Sequence, residues 1–204
     1  MNSTVNLHYL IFLSVVAALG GFLFGYDAAV ISGTISQVTS RFSLDEIQVG
    51  WFVGCALIGS IIGVLMAGKL SDHWGRKVTM LVAAIFFSVS GIVCAFVNSF
   101  DQLVMARILG GVGIGVVSIV SPLYISEVSI AKNRGRLDSL YKLDVSIGIL
   151  EAYLTNFQLL HFSQSGIMLG NEWMNRIFVS EVWRGMLGVS GIPSVLFFCI
   201  IFFI

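Results

Sequence analysis

Gly68-Lys69-Leu70-Ser71-Asp72-His73-Trp74-Gly75-Arg76-Lys77 is a polar interruption between two long apolar stretches. Roughly 20 apolar residues cross a bilayer core as a helix. Stretches 47–70 and 78–97 are of that length, so the interruption reads as a tight turn between two membrane-spanning helices. Lys69, Arg76 and Lys77 fix its side, because short loops rich in Lys and Arg stay in the cytoplasm. Asp72 closes a helix at the negative end of its dipole and needs a cationic partner.

Composition agrees. Of 204 residues, 57% are hydrophobic and 11% charged, against about 25% charged in soluble domains. Mean hydropathy is +0.95, so the bilayer is the expected solvent. Zero net charge gives no electrostatic footprint for nucleic acid. Cys55, Cys94 and Cys199 are scattered in apolar runs and read as small core residues. His8, His73 and His161 lie on three separate segments, so no enzyme activity, metal site or cofactor is expected. The N-terminus has no basic residue before its first apolar run, and no signal peptide is expected.

Extending the reading outward predicts an all-α membrane protein, one domain over 1–204. Its helices fall at about 7–35, 47–70, 78–97, 102–126, 137–160 and 182–204. A second basic turn carries Lys132, Arg134 and Arg136, while the opposite side has only Arg41, Arg176 and Arg184. The basic turns are therefore cytoplasmic, and both termini lie inside a multi-pass inner (plasma) membrane protein. Gly21/Gly25, Gly50/Gly54, Gly59/Gly63 and Gly111/Gly115 are Gly-x-x-x-Gly pairs, which let helix backbones approach closely in lipid. The run 110–115 is glycine-rich but has no strand before it, so it is not a dinucleotide loop.

Ionisable residues inside a span are functional candidates, since each costs about 2.5–3.5 kcal/mol on insertion scales. Asp27 and Arg107 sit at matched depth, about 8–12 Å from the far side at ~1.5 Å per residue. They are expected to pair, with protonation of Asp27 releasing Arg107. Asp72, Arg76, Lys77, Glu127 and Arg134 form a candidate gate of ion pairs at the cytoplasmic end. The fifth helix is unusual in carrying Asp138, Lys142, Asp144 and Glu151. Asp138 and Lys142 are four apart and can pair, whereas Asp144 and Glu151 lie on the opposite stripe. Lys142 is expected to face the cavity, and Asp144 and Glu151 to avoid lipid.

With these residues in view, the chain resembles the N-terminal half of a major facilitator sugar porter, and is especially similar to bacterial xylose–proton symporters. The stretches that carry the resemblance are Gly20-Gly21-Phe22-Leu23-Phe24-Gly25-Tyr26-Asp27, Gly68 with Asp72 and Gly75-Arg76-Lys77, Arg107-Ile108-Leu109-Gly110-Gly111, Pro122-Leu123-Tyr124-Ile125-Ser126-Glu127, Arg134-Gly135-Arg136, and Trp183-Arg184 with Pro193. It implies six helices built as a three-plus-three inverted repeat, with substrate bound between this half and another. It assigns Asp27 and Arg107 to proton coupling, Phe24, Lys142 and Gly148 to the sugar site, and the cytoplasmic motif to gating. The implied partners are a pentose or hexose, a proton and membrane lipids.

The chain departs from the family in three respects. The C-terminal half is expected to be absent. Lys142 stands where the family has a sugar-binding glutamine, and an ammonium offers donors only. Acids stand at 138, 144 and 151 in place of apolar residues, with Gly185 for an aromatic residue and Ser190 for an acid. The expected function is a half-length sugar–proton symporter domain whose alternating access requires a second half or copy. The alternative is a transport-inactive, self-associating six-helix membrane protein, engineered or diverged. A homodimer would use the uncovered inner face, with both copies inserted in parallel.

Overall fold

A computed structural model describes residues 7–129, 134–165 and 171–202. The described residues contain no strand. Helix α1 spans Leu7–Phe42, α2 Glu46–Phe96, α3 Phe100–Val128 and α4 Arg134–Gln164. A short α5 at Glu172–Asn175 runs into a π-helical turn at Arg176–Ser180, followed by α6 at Val182–Val189 and α7 at Gly191–Phe202. By length and composition, Glu46–Phe96, Phe100–Val128 and Val182–Phe202 are long and apolar enough to cross a membrane.

The turn expected at 73–77 is far tighter than a loop. Gly75 alone leaves helical geometry, at φ 80° and ψ 162°, and divides α2 into arms 46–74 and 76–96. Positive φ strains any residue with a Cβ, so this reversal depends on glycine. The start of α2 is held by a capping box: Gln48 N–H donates to Asp45 Oδ1 at 2.7 Å, and Asp45 N–H donates to Gln48 Oε1 at 3.1 Å. Ser99 caps α3 in the simpler way. The long connection expected at 161–181 is partly helical, since α4 continues to Gln164 and α5 forms within it.

Glycine sets the packing. A Cβ on Gly59 or Gly63 would fall 2.0 and 2.2 Å from the carbonyls of Ile108 and Val112. Reciprocally, one on Gly111 or Gly115 would strike Ala56 O and Ser60 O at 2.1 Å. Arm 46–74 and α3 thus interlock backbone to backbone. Helices α1 and α4 do the same, with Gly25 against Val145 O at 2.0 Å and Gly148 against Phe22 O at 2.2 Å. Helix association in lipid lacks a hydrophobic drive, so close dispersion contact is what holds these pairs. Gly50 and Gly54 meet nothing within 4 Å and lie on an open face of α2.

Two large apolar clusters, with a small third around Ile125 and Leu137, complete the bundle. One, toward the end that holds Glu181, gathers Tyr26, Val30, Phe52, Leu103, Trp183 and Met186. The other, toward the Gly75 end, gathers Leu23, Met80, Phe87, Val117 and Phe197. Helix α3 passes through both.

Candidate functional site

The central site is built on α1 and α3. Asp27 and Arg107 are 7% and 5% exposed, and the guanidinium grips the carboxylate through both nitrogens. Nη1 donates to Oδ1 in a short contact, and Nη2 donates to Oδ2 at 3.2 Å. The expected pairing is therefore present in the structure. Around it lie polar atoms left without hydrogen bonds: Arg107 Nε, the Tyr26 hydroxyl and Asn156 Oδ1. Thr155 sits beside the Tyr26 hydroxyl without closing a bond of normal length. Asn156 Nδ2 donates to Val30 O at 3.1 Å, tying α4 to the same level of α1. A buried pair of this kind is held by its own geometry. Neutralising one member leaves the other charged in a low-dielectric interior, an arrangement the fold does not tolerate unchanged.

The residues expected at the sugar site lie on two helices in different surroundings. Phe24 is exposed and opens a stripe along α1 that continues through Ala28, Ser32 and Ser36 at four-residue spacing. Lys142 is exposed on α4, with Asp138 Oδ2 at 3.5 Å from its Nζ. Gly148 is buried against Phe22 and Tyr26 of α1, where it lets two backbones touch. Glu151 does not share the Lys142 face. It borders a cavity of about 370 Å³ between α1, α4 and α7, with Tyr26, Thr155 and Pro193. The Thr155 hydroxyl reaches Glu151 Oε1 at 3.5 Å. Asp144 is partly exposed.

At the Gly75 end, Arg76 is the hub. Its Nη2 and Nε donate to Glu127 at 2.8 and 3.0 Å, and its Nη1 donates to Asp72 at 3.3 Å and to Ser71 O at 3.0 Å. Three of the expected gate residues thus meet. Two do not: Lys77 donates to Phe202 O at 3.2 Å, and Arg134 is exposed and makes no ion pair among the described residues. One guanidinium satisfies both acids that end helices against the dipole.

The opposite end holds a cluster that sequence reasoning missed. Glu181, the residue before α6, receives Arg41 Nε at 2.5 Å, Arg176 Nε at 3.1 Å and Arg184 Nε in a short contact. Burial disfavours its charge, but hydrogen bonds from Arg184 and Arg176, with Arg41, outweigh this and hold the carboxyl below the usual glutamate range. Arg184 also donates to the carbonyls of Ala95, in the last turn of α2, and Val97, its C-cap, and stacks 4.6 Å over Trp183. The only local signal was Glu181 three residues before Arg184.

The chain is similar to known transport proteins. The chain is 39% identical over 195 residues to the glucose transport protein of Synechocystis, covering 96% of this chain and 41% of that one. It is 39% identical to the arabinose-proton symporter of Bacillus subtilis, covering 96% and 40% respectively. The solved partially occluded, inward-open xylose transporter XylE of E. coli superposes with a TM-score of 0.84 at 33% identity, covering 96% of this chain and 50% of that one. The chain thus spans about two-fifths of the length of the curated relatives it matches. Its described helices adopt the fold of half of a major facilitator transporter. Residues 13–204 match the sugar (and other) transporter family, and the chain belongs to that family.

Proposed function

We propose that the chain is the proton-coupling six-helix half of a sugar–proton symporter in the inner membrane, with both termini cytoplasmic. The observation that carries this is the Asp27–Arg107 pair, buried on α1 and α3 in a member of a sugar transporter family. Relatives are named as arabinose-proton and D-xylose-proton symporters. A proton on Asp27 removes half of the pair, and the freed guanidinium then favours a rearranged bundle. Coupling follows because sugar and proton both bias the same two-state element.

A pentose or hexose would lie along the exposed α1 stripe from Phe24 and against Lys142. Lys142 supplies donors and its neighbour Asp138 supplies acceptors, so the pair meets both needs of a hydroxyl network. Access alternates when a second six-helix half, or a second copy, covers that face. The Arg76–Glu127–Asp72 cluster would close the cytoplasmic side and break as it opens.

The glycine contacts support a three-plus-three inverted repeat. Gly20, Gly21 and Gly25 of α1 recur at the same spacing as Gly110, Gly111 and Gly115 of α3. Gly21 and Gly25 lock onto α4, and Gly111 and Gly115 onto arm 46–74, while Gly20 meets α3 and Gly110 meets Ser90 of arm 76–96. That is the crossed pairing a repeat of this kind produces.

A second reading, self-association without transport, is favoured by the open strip of Gly50 and Gly54 on α2, flanked by exposed Trp51, Leu57 and Ile61. Proteoliposomes containing the protein decide between the two. Uptake of labelled xylose or arabinose driven by a proton gradient, abolished by Asp27→Asn while sugar exchange persists, is the expected result. Accumulation retained in Asp27→Asn would overturn the coupling role. A stable dimer with no sugar flux would favour the second reading.

A further inference from the structure

Ion pairing at the Glu181 end leaves positive charge unused. Arg41, Arg176 and Arg184 share one carboxylate, and Glu172, exposed at the start of α5, pairs with none of them among the described residues. Arg184 is 2% exposed, and its Nη2 is buried with no hydrogen-bond partner. That side chain lines a cavity of about 190 Å³ together with Asn98, Trp173 and Arg176. The Asn98 side-chain oxygen is already taken by Arg176 Nη2 at 3.2 Å. The charges are paired with Glu181, but the buried Arg184 Nη2 has no acceptor, and a buried donor left without a partner is costly.

A second, apolar hollow of about 240 Å³ adjoins it, lined by Ile92, Phe178, Gly185 and Ile192. The two share Ala95, Phe96 and Ile177. Gly185 keeps the hollow open, since a Cβ there would meet Ile177 O at 3.0 Å and the Phe178 ring at 3.1 Å. Phe96 and Trp173 stand exposed at the rim, ring centroids 6.5 Å apart, as aromatic residues do at a membrane interface.

We propose that this joined pocket holds an anionic phospholipid of the leaflet at the Glu181 end. Its phosphate accepts hydrogen bonds from Arg184 Nη2 and Arg176, and an acyl chain fills the hollow between arm 76–96 of α2 and α6–α7. The inference rests on the reading that the chain spans a membrane. A small soluble anion would leave the apolar hollow unfilled, and an uncharged lipid would leave the guanidinium excess unmatched. An anionic head joined to an apolar chain satisfies both halves.

The test is native mass spectrometry of the delipidated protein in mild detergent, with equimolar palmitoyl-oleoyl phosphatidylglycerol and phosphatidylcholine. Phosphatidylglycerol adducts should exceed phosphatidylcholine adducts by about threefold, because both lipids carry the phosphate but choline adds a cation beside the guanidiniums. Arg176→Gln, at a half-exposed position, should bring that ratio near unity, and Ile177→Trp should reduce phosphatidylglycerol retention by filling the shared wall. Equal retention of the two lipids, or a preference unchanged in both variants, would overturn the proposal. Displacement of phosphatidylglycerol by inorganic phosphate with full retention in Ile177→Trp would instead identify a soluble-anion site, and also overturn it. Alkaline carbonate extraction separates the underlying reading: release of the protein from membranes would defeat the membrane assignment itself, whereas retained protein without lipid preference defeats only this site.

Discussion

The two ends of the bundle carry ion clusters of opposite composition. At the Glu181 end, one carboxylate is shared by three guanidiniums, and the Arg184 and Glu181 side chains are 2% and 12% exposed. At the Gly75 end, one guanidinium is shared by two carboxylates, with Arg76, Glu127 and Asp72 side chains 27%, 41% and 77% exposed. Charges near water interact weakly and are screened by salt, whereas a desolvated charge that loses its partner is costly. The Glu181 cluster is therefore suited to act as a fixed pivot. The Arg76 cluster is suited to act as a latch that breaks and reforms. The composition fits as well: Arg184 and Arg176 also secure loose ends of α2 and the π-helical turn, whereas Arg76 ties only the ends of two helices.

The largest effect that would break this contrast is at Arg184. Arg184→Ala strands the Glu181 carboxylate and two helix-ending carbonyls, and should destabilise the protein by about 3–5 kcal/mol. Thermal unfolding in detergent checks it; a negligible change would remove the pivot. Glu181→Gln should cost about 3 kcal/mol, because it leaves the 2% exposed Arg184 without its carboxylate, while Arg41 and Arg176 are half in water.

Acid should sharpen the contrast through the same residue. Glu181 has its folded-state pKa lowered from the ordinary 4.5, so its contribution is present above that value and is lost as pH falls through the lower folded-state value. The unfolding temperature should drop on acidification below about pH 4.5, and Glu181→Gln should remove part of that slope. Identical slopes in the two proteins would show that the cluster is not the titrating element.

Smaller effects are expected at the Gly75 end. Ser71 is 1% exposed beneath Arg76, which donates to its carbonyl. A cysteine introduced by Ser71→Cys should react with a maleimide severalfold faster when Arg76→Ala is added. Adding Arg134→Ala should leave the rate unchanged, since Arg134 stands outside the cluster. Equal rates in both variants would remove the latch. The smallest effect is ionic: raising salt from about 0.1 to 1 M should speed labelling at Ser71→Cys while leaving the unfolding of the Glu181 end little changed.

Much of this was legible without coordinates. Helix positions follow from hydropathy and breakers, which are local, so α3 at Phe100–Val128 lies close to the expected 102–126. The Asp27–Arg107 pair was legible because two lone charges at equal depth in a bilayer have few alternatives. That Glu127 needs a cation was legible from its place against a helix dipole, but Arg76, Arg134 and Arg136 were equal candidates and the fold selects Arg76. The Glu181 hub was not legible, because Arg41, Arg176, Arg184 and the carbonyls at 95 and 97 come from four segments whose meeting depends on how the helices are rotated.

Glycine marks the boundary between the two kinds of information. The pairs Gly50/Gly54 and Gly59/Gly63 are the same motif on the same helix, yet the first meets open space and the second is locked against α3. Gly148, which the family resemblance assigned to the sugar site, packs backbone to backbone against Phe22. The sequence by itself determined that the chain forms long apolar helices, where they reverse, and which charges must find partners, because those properties depend on neighbours along the chain. Only the tertiary structure decided which face of each helix is covered, since at about 100° per residue a small rotation exchanges a buried glycine for an exposed one.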